Sequence, residues 1–249
     1  MPTPLNFMIR SIYNRVLQAI QIQIVKSLLI ISATLISFCL FSCGQKSKDK
    51  AFRIFNEGVS LNLISSQEQS KGNFEKAVSL NKQSIEKFKE ALKLDSTHPI
   101  VRSALGHSLY IDKQFKEAIQ WFDQANKVNG EAAANYREMG LCKINLGQIL
   151  EGKSDIDKAF SIDTTKEIKE LTIQDLTDIG KLAYQYGDSY IQQGETDKGK
   201  GFKTFSIGVL MLAFEYDKSR KDIALTISDL ADKFGDKETA LKYKTLSGR

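Results

Sequence analysis

The sequence predicts an all-α fold, an array of antiparallel helix hairpins. Proline is scarce: of the three in the chain, Pro2 and Pro4 lie at the extreme N-terminus, so only Pro99 interrupts the rest. Helix interiors exclude proline, and strand-rich folds with many turns use more of it. Small and apolar residues also recur at one interval. Gly106 and Gly140 are 34 residues apart, as are Ala125 and Ala159, Ala118 and Gly152, Phe122 and Ile156, and Leu105 and Met139. One step back from Ala125 and Phe122 reaches Ala91 and Phe88. Asp95, Asn129 and Asp163, at the expected helix ends, keep the same spacing. A composition of 42% hydrophobic and 26% charged residues over 249 positions suits a folded chain of one or two units or one repeat array.

Before the repeats comes an apolar stretch. Lys26 is followed by Ser27–Phe41, fifteen residues without a charge. That fits the core of a signal peptide and falls short of the roughly 18 residues of a membrane span. Leu40, Phe41, Ser42 and Cys43 resemble the lipobox of bacterial lipoproteins, although Phe41 stands where the family prefers a small residue. The resemblance implies that 1–42 is a signal peptide, that the Cys43 thiol receives a diacylglycerol, that palmitate or a similar chain acylates its amine, and that 43–50 is a short polar tether. The alternative is a retained N-terminal anchor, since Ser27–Gln45 is uncharged throughout. Either version places residues 51–249 outside the cytoplasm on a membrane, facing the periplasm or the exterior. Gly44 and Gln45 follow the cysteine in place of a retaining aspartate. By resemblance, that favours an outer membrane over an inner one.

The rest of the chain divides into hairpins. The 34-residue period, with small residues at these offsets, resembles the tetratricopeptide repeat (TPR), which implies a right-handed superhelix. The resemblance is specific over 88–163 and extends in looser form across 51–249. Glycine at 106 and 140 lets one helix lie close to its partner, and Leu105, Leu109, Phe115, Ile119 and Phe122 fill the space between. GNFEKA (Gly72–Ala77) marks an earlier turn, but Ala77 precedes Ala91 by fourteen residues, so the first hairpin is expected to be two turns longer in each arm, about 51–70 and 74–94. A matching elongation is expected late, with a turn at Gly194 and a helix to about Tyr216. GDKETALKY (Gly235–Tyr243) reads as the last turn and closing helix. The total is about five hairpins and ten helices.

Candidate chemistry is sparse. GQILEGKS (Gly147–Ser154) satisfies G-x-x-x-x-G-K-[ST], a phosphate-binding loop that needs a buried strand before it and a helix after it. Here REMGLCKINL precedes it with helical spacing, and the repeat register explains both glycines, so no nucleotide or other cofactor is expected. Two histidines, His98 and His107, and no H-E-x-x-H give no metal site. Cys142, left without a pair or a following histidine, reads as a buried apolar side chain. The formal charge of +5 includes Arg10, Arg15 and Lys26, and removing them with residues 1–42 leaves +2 over 207 residues, too little for a nucleic-acid partner. No enzymatic activity is expected.

What remains is a surface. In TPR proteins the first helices of successive hairpins line a groove that receives a peptide or another protein. Carried onto this register, the lining residues are Ile100, Ser103, His107, Tyr110, Arg137, Leu141 and Ile144. The lysine and asparagines by which some members clamp a C-terminal carboxylate are absent: Ser103, His107 and Glu138 stand there. The expected role is a membrane-anchored scaffold for another protein in cell-envelope assembly. The alternative is a lipoprotein that binds a glycan or small ligand, with Tyr184, Tyr186 and Tyr190 as an aromatic platform.

Overall fold

A computed structural model describes residues 45–248 of the chain. Every regular element in that range is a helix. Helix α1 covers 45–70 and is followed by α2 (Phe74–Leu94), α3 (Val101–Ile111), α4 (Phe115–Asn129), α5 (Ala133–Asn145), α6 (Ile149–Ile162), α7 (Lys166–Gln192), α8 (Thr196–Tyr216), α9 (Lys221–Phe234) and α10 (Lys237–Ser247). Consecutive pairs form five antiparallel hairpins, the TPR-like array expected from the 34-residue period.

One turn geometry makes all five hairpins. A residue in the left-handed region ends the first helix each time: Gly72, Lys113, Gly147, Gly194 and Gly235. The next N–H then reaches back five residues, from Asn73 to the Glu68 carbonyl, Gln114 to Leu109, Gln148 to Lys143, Glu195 to Tyr190 and Asp236 to Ala231, each at 2.9 Å. This bond satisfies a carbonyl that a helix end would leave open. At three of the four junctions between hairpins the cap is a carboxylate, and at the other, after α4, it is Gly130. Asp95, Asp163 and Asp217 accept the N–H two residues on, from Thr97, Thr165 and Ser219, again at 2.9 Å.

Glycine sets how closely the two arms of a hairpin pack. A Cβ on Gly106 would meet the Phe122 ring at 2.7 Å, and one on Gly58 would meet the Phe88 ring at 2.7 Å. The two sites are one contact in two hairpins, but its partners are sixteen residues apart in hairpin 2 and thirty apart in hairpin 1. Gly180 meets Leu210 across thirty residues in hairpin 4. Hairpins 1 and 4 are thus elongated beyond the same packing contact, while hairpins 2 and 3 between them are short. The extra turns carry buried polar residues at matching places, Asn81 and Lys203, each 23 positions past its hairpin's glycine.

Two apolar clusters fill the array. Ile54, Phe55, Ile85, Phe88, Val101, Leu105, Leu109 and Phe122 join hairpins 1 and 2. Leu141, Ile144, Ile156, Ile173, Leu176, Leu210, Ile223 and Ile227 join hairpins 3, 4 and 5. The apolar run Ser206–Phe214 lies in the second cluster, with Ile207, Val209, Leu210, Leu212, Ala213 and Phe214 all buried. Residues 45–50, expected as a tether, are instead the first turns of α1. Ser47 Oγ donates to the Leu94 carbonyl at 2.8 Å, and Ala51, one turn on, is fully buried against the hairpin. Cys43 and the apolar stretch before it lie outside the described residues.

Candidate functional site

The inner face of hairpins 1 and 2 is built on their shared packing contact. Because Gly58 and Gly106 hold α1 and α3 at the same rotation, residues six before, one after and five after each glycine occupy equivalent places. Those residues are Phe52, Val59 and Leu63 on α1, and Ile100, His107 and Ile111 at and along α3. Polar bonds between the helices fix their spacing. Asn62 Nδ2 of α1 donates to Ser108 Oγ at 2.8 Å, and Asn81 Nδ2 of α2 donates to the Ser108 carbonyl at 2.9 Å. The five apolar members of this ladder are each 39–61% exposed. Their recurrence at repeat-equivalent places sets these five large apolar side chains apart from apolar residues scattered singly. His107 extends the face to α5, its Nδ1 lying 2.8 Å from Glu138 Oε1. Packing of the neighbouring helices partly desolvates the His107 ring, which stays open to solvent on one side, but the bond and charge of Glu138 outweigh this and raise its pKa above the ordinary histidine value.

The ladder ends in a cleft of about 440 Å³. Hairpin 1 extends beyond the α3–α4 turn, so Phe74 and Val78 of α2 stand across from Tyr110, Ile111, Lys113 and Phe115, with Ile179 of α7 completing the wall. Asn81 lies in this wall, and its Oδ1 is buried without a partner among the described residues. Lys113 adopts φ 61° where the other four hairpin turns have glycine. A side chain in that conformation costs about 1–2 kcal/mol.

The residues expected to line a groove separate into two sets. Ile100 and His107 are exposed, Ser103 is half-buried, and half-buried Tyr110 opens onto the cleft. Burial, followed by the charges of Asp175 and Glu138, pushes the Tyr110 hydroxyl well above the ordinary phenol range, so it stays protonated. Leu141 and Ile144 are not lining residues: both are 0% exposed, packed in the second core cluster. Arg137 is also turned to structure. Its Nε donates to Thr172 Oγ1 at 3.0 Å and its Nη2 pairs with Asp175, both on α7. Long α7 therefore lies on the part of α5 that the repeat register assigned to an open groove. The missed lining residues, Phe52, Val59 and Leu63, could have been found from Gly58. It lies 48 residues before Gly106, outside the 34-residue period.

Other candidate chemistry resolves into packing. The stretch Gly147–Ser154 is a hairpin turn and the start of α6, and a Cβ on Gly152 would meet Ile144 at 2.5 Å and the Gly140 carbonyl at 2.6 Å. Lys153 pairs with Asp157 at 2.8 Å and Glu215 at 3.5 Å. Cys142 is buried, which pushes its thiol up to about 12. The three tyrosines do not form one platform. Tyr184 is buried, its hydroxyl donating to the Leu230 carbonyl of α9, whereas Tyr186 and Tyr190 pack on Phe202. Among the described residues no cluster of side chains could hold a metal ion, and no helix is long and apolar enough to cross a membrane.

No protein-family model matches the chain. Sperm-associated antigen 1 from Rattus norvegicus is 42% identical over 64 residues, 26% of this chain and 7% of that protein. Its Mus musculus counterpart is 40% identical over 58 residues, 23% and 6%. The chain thus matches only a small part of the length of these relatives. Among solved structures, MamA is 16% identical, covering 74% of this chain and 92% of its own with a TM-score of 0.41. YrrB, described as a TPR protein with an unusual peptide-binding site, is 16% identical over 80% of this chain and 90% of its own, TM-score 0.38. A TPR repeats protein from Bacteroides fragilis is 15% identical over 74% and 98%, TM-score 0.35.

Proposed function

We propose that this chain is an exported, lipid-anchored helical-repeat scaffold that holds a segment of another protein on the inner face of hairpins 1 and 2, in the service of cell-envelope assembly. The observation that carries the binding reading is the exposed ladder of Phe52, Val59, Leu63, Ile100 and Ile111 leading into the cleft beside Tyr110. A partner segment with apolar side chains at matching spacing would remove this surface from water, as an amphipathic helix does when it lays its apolar face in a groove. The spread of Tyr184 away from Tyr186 and Tyr190 weighs against a glycan platform.

The anchoring half of the proposal rests on the sequence Leu40–Cys43 and the uncharged run before it. An outer membrane is favoured by Gly44 and Gln45 after the cysteine. Metabolic labelling tests it: the chain incorporates palmitate and partitions into detergent, and Cys43→Ala loses both. Persistence of residues 1–42 in the membrane form would replace the acyl anchor with a retained apolar one. Crosslinking in intact membranes then identifies the partner, whose crosslinks are expected at Leu63 and Ile111.

A further inference from the structure

The first turns of α1 differ from a tether in a way that bears on how the array sits over a membrane. The helix already includes Gln45, so one residue, Gly44, separates Cys43 from described helix. This stretch is clamped to hairpin 1 by Ser47 Oγ on the Leu94 carbonyl and by buried Ala51 and Ile54. A helix fixed to the body of the array leaves little chain to act as a flexible spacer.

On its outer side the same stretch is basic. Lys46, Lys50 and Arg53 fall at i, i+4 and i+7, one face of the helix, and all three are exposed. None of them forms an ion pair among the described residues, whereas the next residue on that face, Glu57, is bound to Lys87 of α2 at 2.6 Å. The nearby acids form no ion pair with these cations: Asp49 accepts from Gln45 Nε2 at 2.9 Å, its charge offset by exposed Lys48 in the same stretch, and Asp95, at the end of α2, accepts from Thr97. Three free cations thus follow directly on the point where the chain would leave a membrane.

We infer that Lys46, Lys50 and Arg53 rest on anionic lipid headgroups and hold the array down on the bilayer. The inference rests on the membrane tethering proposed above, and it holds whether Cys43 is acylated or residues 27–41 remain as an anchor. From Gln45 to Arg53 the helix rises about 12 Å at 1.5 Å per residue. The screening length at physiological salt is about 8 Å. Standing upright, α1 would lift Arg53 out of reach of the surface charge. Inclined with this face toward the lipid, it brings all three cations within range, as juxtamembrane basic segments are attracted to acidic lipid. The tilt puts the seam between α1 and α2 nearest the membrane, because Glu57 on the same face bridges to Lys87.

Lysine footprinting tests this on the full chain purified from membranes and reconstituted into vesicles of phosphatidylcholine alone or mixed with phosphatidylglycerol. Amine acetylation of Lys46 and Lys50 should be several-fold slower on the mixed vesicles and recover at high salt. Lys113 and Lys166, exposed elsewhere in the array, should react equally on both. Equal reaction of Lys46 and Lys50 on the two vesicles, in a chain that floats with them, overturns the headgroup contact and leaves the tether standing. A chain that does not float with either vesicle overturns the tether and this contact together.

Discussion

Gly140 of α5 and Gly152 of α6 pass so closely that a Cβ on either one would meet the other's carbonyl oxygen at 2.6 Å. The contact gives the glycines of the phosphate-loop pattern a packing role: Gly147 makes the turn and Gly152 makes the crossing. Gly152→Leu should therefore destabilise the array by about 1–3 kcal/mol through overpacking. Lys153→Ala, which removes two partly exposed ion pairs, should cost less than about 1 kcal/mol. Urea unfolding followed by circular dichroism separates the two. Saturable ATP binding lost in Lys153→Ala would show that the pattern works as a nucleotide loop.

Arg137 holds hairpin 3 to hairpin 4 through Thr172 and Asp175. Arg137→Ala should lower stability by about 1.5–3 kcal/mol, the range for hydrogen bonds to a charged group. Arg137→Ala combined with Asp175→Ala should cost less than the sum of the single changes, because both remove the same pair. Additive losses in unfolding experiments would mean that the pair contributes nothing by itself.

Lys113 is the left-handed turn residue of hairpin 2, in the place that Gly72, Gly147, Gly194 and Gly235 fill in the other hairpins. Lys113→Gly should raise stability by about 0.5–1 kcal/mol, the relief of a strained φ less the entropy that glycine adds to the unfolded chain. A lower melting temperature in the variant would mean that contacts of the Lys113 side chain outweigh the backbone strain.

The repeat period made hairpins 2 and 3 legible from small residues alone, and the fourteen-residue gap from Ala77 to Ala91 gave the long first hairpin, with α2 ending at Leu94 as expected. The late elongation likewise ends at Tyr216. The start of α1 was not legible, because GQKSKDK has the composition of a solvated tether and its helical state depends on bonds such as Ser47 to Leu94. Arg137, Leu141 and Ile144 were assigned to an open groove because register gives the direction of a side chain but not what a neighbouring helix does there. Thr172 and Asp175 of α7 hold Arg137, and Leu141 and Ile144 are packed in the second core cluster, Ile144 against Gly152 of α6. Conversely, Phe52, Val59 and Leu63 escaped notice because the elongation of hairpin 1 displaces Gly58 from the 34-residue interval.

The binding role of the inner face is tested most directly by placing charge on its ladder. Leu63 and Ile111 are exposed at equivalent places of α1 and α3, so Leu63→Glu with Ile111→Glu should change folding stability by no more than about 0.5 kcal/mol per site. With the partner identified by crosslinking, the measurement is its affinity for the double variant against the unaltered chain. The account predicts a loss of about tenfold or more, equivalent to about 1.4 kcal/mol. Undiminished affinity in a variant of normal stability would contradict it.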